Sequence, residues 1–277
     1  MKKAIQIWYN ELFEKKCIMA KKAGFDHIAV NLDSLPDKSE SGWNKAEEHI
    51  LSLFEGLKLE CVQTHLPCYE LLVSSDELDD KMESDIKTAI KVSANIGAPW
   101  CVYHPRSNIN AGFATDKNFE DNRKVLSQYL DIAIGAGTGI AVENIPIFCG
   151  IVPIMPFYCS NIGDHKALVD SFNDEKMRIC WDFGHANLMK MNQSYALEYL
   201  GKRIVCTHVH NNNGRDDTHT TPDQGNINWE KIMPAMKFAD EDCPLTLETH
   251  CNYIDDDLLF GFAKQNLECL KYLEKLV

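Results

Sequence analysis

The first constraints on this chain come from what it lacks. No apolar run approaches the ~20 residues that a membrane-spanning helix needs, which excludes a helical membrane protein. The opening MKKAIQIWYNELFEKK carries lysines but no apolar stretch of signal-peptide length ahead of a small-residue cleavage site, so the expected compartment is the cytoplasm. Lysine and arginine do not cluster: 28 bases stand against 41 acids, and the formal charge of −13 opposes a nucleic-acid backbone. Nucleic acid is therefore not the expected partner. The 11 cysteines are dispersed and never spaced Cys-x-x-Cys, which argues against a disulfide framework and leaves reduced thiols. Cys61, Cys101, Cys180 and Cys206 fall inside strand-like runs, where a thiol acts as a small apolar packing group.

No glycine-rich turn follows the first apolar run, as a dinucleotide-binding sheet would require. The GAGTG at 135–139 precedes a strand and reads as the end of a helix. Low-complexity linkers and long internal repeats are missing too, so a single domain over residues 1–277 is expected.

What is present is an alternation. AIQIWY, HIAVNL, LECVQTH, WCVYHP, GIAVEN, MRICWDF, RIVCTHVH and PLTLETH are short apolar or β-branched runs. Each is followed by a longer amphipathic stretch, near 11–23, 43–57, 76–96, 116–135, 164–172, 193–200, 229–239 and 256–275. That spacing predicts an α/β fold, a parallel (β/α)8 TIM barrel with its helices outside and its active site at the carboxyl ends of the strands. At those ends the third to eighth runs each place one polar residue: His65, His104, Glu143, Asp182, His208 and Glu248.

Strand ends of a closed barrel converge on one pocket. Glu143, Asp182, His208 and Glu248 would meet there, and three anionic donors would repel one another without a cation. The set suits a divalent metal ion: Mn2+, Zn2+, Co2+, Mg2+ or Fe2+. No thiolate is expected at the site to favour a softer ion. Around this core lie His65 in QTHLP, His104 in YHPRS, His185 in DFGHAN, and Asp217 with His219 in GRDDTHTTPDQGNINW.

The ordered series His-x-Pro, TyrHisPro, ValGluAsn, TrpAspPheGlyHis, HisValHis, AspThrHis, GlyAsnIleAsnTrp and LeuGluThr resembles the xylose-isomerase-like barrel superfamily across essentially the whole chain. That superfamily includes tagatose 3-epimerase, inosose isomerase and dehydratase, hydroxypyruvate isomerase and endonuclease IV. The epimerase and isomerase branch implies one ion on Glu143, Asp182, His208 and Glu248, with a sugar, sugar phosphate or cyclitol reacting through a metal-stabilised enediolate. Glu143 and Glu248 would then exchange the substrate proton, while His185, Arg215, His65 and His104 hold substrate oxygens. The endonuclease IV branch implies three zinc ions and phosphodiester cleavage at abasic sites. His65, His104 and Glu143 would hold one, the core four the second, and His185, Asp217 and His219 the third. Charge favours the isomerase or epimerase reading; a dehydratase-type lyase follows from the same groups, and a non-catalytic binding protein is the remaining class.

Other residues receive smaller roles. His210 shares a strand face with His208 and is expected to touch substrate or cap the rim. His27, His49 and His165 read as surface or cap residues, and Arg106 as an oxyanion anchor. Trp8, Trp100, Trp181 and Trp229 read as core packing combined with a pocket wall, Trp181 turned away from the metal. The apolar segment 145–165 reads as a loop able to fold over the mouth. Homo-oligomer formation stays open, because no exposed apolar stripe defines an interface.

Overall fold

The computed structural model of the chain describes residues 1–68, 72–73, 80–108, 115–148 and 155–277. Eight parallel strands form one sheet: β1 Lys3–Trp8, β2 His27–Asn31, β3 Glu60–His65, β4 Trp100–Tyr103, β5 Gly139–Glu143, β6 Met177–Asp182, β7 Ile204–His208 and β8 Leu245–Leu247. They pair in chain order from β1 to β7, with β8 on the far side of β1. Val209 donates its N–H to the Thr246 carbonyl (2.7 Å) and accepts from Glu248 N (3.1 Å), which joins β7 to β8 and closes the circle. This is the expected (β/α)8 barrel.

Alternation along each strand sorts the side chains. Ile140, Val142, Ile179 and Trp181 face the helices in the main core, while Ala141 and Cys180, between them in sequence, belong to a separate buried cluster with Val102 and Cys206. Cys180 and Cys206 are fully buried, and burial pushes both thiols well up, as inert packing groups should be. The GAGTG segment ends the helix Thr115–Ala136: Gly137 has φ +92°, and Thr138 N donates to Ala133 O at 2.9 Å.

The structure adds elements that the hydrophobic period did not signal. A short helix, Phe183–Leu188, starts directly on β6. Leu72–Val73 pairs with Ser107–Asn108, and Ile147–Phe148 with Met155–Pro156, beside the barrel mouth strands. The expected closing loop falls partly outside the described residues, at 149–154, as do 76–79 of the third helix and much of the acidic stretch after β3.

His165 corrects the sequence reading. It is fully buried, not a surface residue, and its Nε2 donates to the Val142 carbonyl at 2.9 Å, one residue before Glu143. Burial pushes its pKa down from 6.5 to about 4, so the unfolded chain takes up a proton before the fold does. Its stabilising contribution is complete above pH 6.5 and is lost as pH falls toward 4, on the order of 3 kcal/mol. Denaturant midpoints from pH 7 to pH 4 should therefore fall less steeply in His165→Gln than in the native chain; parallel curves would contradict this.

Candidate metal centre

The residues expected to hold a metal meet at the carboxyl mouth. Donor atoms of Glu143, Asp182, His208 and Glu248 lie within 4.8 Å of one another, and all four side chains are buried. His208 Nδ1 is 3.2 Å from Glu143 Oε2, 3.1 Å from Glu248 Oε2 and 3.7 Å from Asp182 Oδ2. Among the described residues, Glu143 Oε1, Glu248 Oε2 and both His208 ring nitrogens are buried without a hydrogen-bond partner. Orphaned polar atoms in a dry interior are costly. Their grouping as oxygens plus one imidazole fits a divalent ion of hard to borderline character.

Charge is stored as protons in this form of the site. Burial pushes the Glu143 carboxyl up, but the charges of His208 and His104 outweigh it and hold it well below the carboxylate range. Glu248 behaves likewise through His208 and His219. Burial pulls the His208 and His185 imidazoles down, yet the neighbouring carboxylates lift both well above 6.5. His104 and His219 end raised to about 9. A bound dication would replace those protons.

Supporting contacts fix the donors. Gln6 Nε2 donates to Glu248 Oε1 at 2.7 Å, from a buried position on β1. Asn144 brackets Asp182, donating to its carbonyl (2.9 Å) and accepting from its N–H (2.7 Å). Asp182 Oδ1 in turn accepts from His185 N at 2.6 Å, so it caps the helix Phe183–Leu188 and sets His185 one turn in. Gln6 and Asn144 are two site residues that strand periodicity does not single out. The available signals were a glutamine inside the apolar run AIQIWY and an asparagine directly after Glu143.

Two flanking clusters extend the core. His65 Nε2 and His104 Nε2 are 3.1 Å apart and lie 3.5 and 3.0 Å from Glu143 Oε2. On the other side, His185 Nε2 and His219 Nε2 each lie 3.2 Å from Asp217 Oδ2. In three of these histidines Nδ1 donates to a backbone carbonyl: His65 to Leu66 (2.9 Å), His185 to Asn144 (2.9 Å) and His219 to Glu248 (2.8 Å). Metal-binding histidines are oriented in this way, with Nε2 left to face the ion. His219 takes a left-handed φ of +45° to do so, a strained geometry typical of functional positions.

Several roles read from the sequence change. His210 does not cap the rim: it is buried, with Nε2 3.1 Å from both Asp182 carboxylate oxygens. Its ring passes over Gly184, where a Cβ would sit 1.9 Å from His210 Cε1, so only glycine fits there. His250, to which the sequence reading gave no role, stacks on His219 at 4.5 Å, and His219 on His210 at 3.9 Å. Thiols do reach the site. Cys180 lies beneath Glu143 and His208, and Cys68 Sγ lies 3.2 Å from His104 Nδ1. Burial pushes the Cys68 thiol up, but the charges of His104 and His65 outweigh it and bring it down to about 7.

Arg106 is not a free anion anchor, since its guanidinium donates to Tyr129 Oη (2.9 Å) and lies 3.9 Å from Glu83. Arg215 sits exposed on the loop before Asp217, with its backbone N–H on Asn213 Oδ1. His49 meets Tyr9 Oη (3.0 Å), and His27 lies 3.6 Å from Glu60. Trp181 points outward to Gln193 as expected, and Trp229 packs on Phe183. Trp100 instead lines a cavity of about 490 Å3 at the amino ends of the strands, with Lys2, Lys176 and Asp240. Among the described residues, none of the donor groups able to hold a metal ion lines that cavity. Trp8 stands 5.5 Å from His250, ring centre to ring centre.

The family profile described as xylose isomerase-like TIM barrel matches residues 18–272. An uncharacterized protein of Methanocaldococcus jannaschii, MJ1311, is 25% identical over 265 residues, covering 85% of this chain and 86% of its own length. Among solved structures, a D-tagatose 3-epimerase-like protein superposes with TM-score 0.73 at 19% identity, covering 99% of both chains. The IOLI protein with a bound zinc atom superposes with TM-score 0.73 at 16% identity, covering 99% of this chain and 96% of its own.

Proposed function

This chain belongs to the xylose isomerase-like TIM barrel family, and from that premise we propose that it is a divalent-metal-dependent isomerase or epimerase of a small sugar, sugar phosphate or cyclitol. The observation that carries the reading is the buried core: three carboxylates and His208 within 4.8 Å of one another, with donor atoms to spare. Glu143, Asp182, His208 and Glu248 would hold the ion. When bound, it would supply Lewis-acid polarisation of a carbonyl and its neighbouring hydroxyl, which acidifies the C–H beside the carbonyl.

The remaining work falls to side chains. Glu143 and Glu248 lie 3.2 and 3.1 Å from His208 Nδ1 and act as the pair that removes and returns the proton. Gln6 holds Glu248 through Oε1, and Oε2, 3.1 Å from His208 Nδ1, is the oxygen that takes part in that exchange. His185, His65 and His104 present Nε2 to the pocket and hold substrate oxygens, with Arg215 closing over from its loop. Relatives that carry sugar-epimerase or zinc-bound descriptions support this choice of chemistry.

One observation favours a second reading. The nine positions of a three-zinc, endonuclease IV-like phosphodiesterase fall into three clusters around Glu143. The formal charge of −13 weighs against a DNA substrate. The deciding experiment incubates Mn2+- or Co2+-loaded protein with ketohexoses, their phosphates and inososes in D2O. Deuterium entering the carbon beside the carbonyl, with an isomeric product, is the expected result. Loss of water to an elimination product would make it a lyase, and nicking of abasic duplex without any exchange would replace the proposal.

A further inference from the structure

Cys68 occupies a place that backbone fills elsewhere in the site. His65, His185 and His219 are each pinned through Nδ1 by a carbonyl oxygen, at 2.9, 2.9 and 2.8 Å. His104 is the exception, because its Nδ1 faces the Cys68 sulfur at 3.2 Å. Its other nitrogen then points at Glu143 Oε2 (3.0 Å) and His65 Nε2 (3.1 Å). Nitrogens and a carboxylate oxygen 3.0, 3.1 and 3.5 Å apart have the mutual spacing of ligands around one ion with bonds of roughly 2.1 Å. Cys68 Sγ also lies 3.6 Å from His65 Nδ1 and 4.0 Å from His65 Nε2, both longer than its 3.2 Å contact with His104 Nδ1.

We propose that Cys68 is a positioning residue: its sulfur accepts the His104 Nδ1 proton and so turns Nε2 toward a second divalent ion held by His65, His104 and Glu143. The proposal rests on the metal reading above only in sharing Glu143. The sulfur takes the part of the carbonyl or carboxylate that ordinarily orients a metal-binding imidazole, and disturbing such a partner costs roughly 10–100-fold in affinity. No thiolate–metal bond is involved. The site therefore keeps nitrogen and oxygen ligands, while its orientation depends on a sulfur acceptor.

Cobalt(II) titration of the metal-free full chain tests this, read by visible absorption and by calorimetry. The native chain should bind at least two ions. Cys68→Ala should weaken one of them by roughly 10–100-fold and leave the other unchanged, with Cys68→Ser in between. In a His104→Ala background the Cys68 substitution should have no further effect, because the residue acts through that ring. Neither spectrum should contain a sulfur-to-cobalt charge-transfer band in the near ultraviolet. Such a band lost in Cys68→Ala would make Cys68 a ligand and overturn the positioning role. Unchanged affinity in Cys68→Ala, or an effect persisting without His104, would overturn it as well. One ion bound only at the core four would defeat this proposal and spare the one above; no ion bound at all would defeat both.

Discussion

Replacing Glu143 or Glu248 by glutamine should lower turnover by roughly 10³-fold or more while leaving the barrel folded. General acid–base groups typically contribute about 10²–10⁴ in rate, and on the proposed reading each glutamate would also donate to the core ion, so both losses fall on one substitution. Glutamine keeps the volume and one carbonyl oxygen, and Gln6 can still donate to position 248, as it does to Glu248 Oε1. The two variants should nonetheless differ. Glu143 touches His65, His104, His185 and His208, so E143Q disturbs both flanks of the site. Glu248 touches His208, His219 and Gln6, so E248Q leaves the His65/His104 side intact. Steady-state rates with unfolding midpoints recorded on the same samples check this. A variant retaining a tenth of native turnover would remove its glutamate from the chemistry.

Chelation should destabilise the protein, and more so in alkali than near neutrality. The His219 pKa is raised from 6.5 to about 9 in the fold, so its contribution is complete below pH 6.5 and is lost as pH rises through 9. The loss is on the order of 3 kcal/mol. His104 follows the same direction, but Cys68 is lowered from 9 to about 7 and contributes the opposite way over that interval. His185 and His208, also held well above 6.5, lose stability in the same direction as His219. Metal-loaded protein escapes this loss, because the ion replaces the protons and its affinity rises as they leave. At a free ion concentration about 100 times Kd, loading adds about 2.7 kcal/mol. Thermal unfolding of stripped and loaded samples from pH 6 to pH 9.5 should show a gap that widens with pH; a constant gap would contradict the proton-for-metal exchange.

The barrel was legible in the sequence because strand and helix periods alternate eight times without a competing motif, and parallel strands buried on both faces give long apolar runs. The core four were legible for a related reason. A charged residue at the end of such a run has no place in a packed core, so Glu143, Asp182, His208 and Glu248 stand out against IAV, RICW, IVCT and LTL. What stayed hidden was whatever depends on orientation across the barrel. Gln6 and Glu248 are 242 residues apart and meet only because β8 lies beside β1. His165 looked like a helix-edge residue until its helix packed it against the Val142 carbonyl. His210 follows His208 by strand alternation as read, but its partner, Asp182, comes from the neighbouring strand. Cys68 lay in a loop with no periodic signal, and its contact with His104 depends on how that loop folds back past β3. Arg106 had the right charge after TyrHisPro, but Tyr129 and Glu83 occupy it.

The most direct test is anomalous diffraction at the metal edge from crystals grown with Mn2+ or Co2+ and no chelator. The account predicts a strong peak within bonding distance, about 2.0–2.3 Å, of Glu143, Asp182, His208 and Glu248. A map featureless at those four residues, at saturating ion, would contradict it.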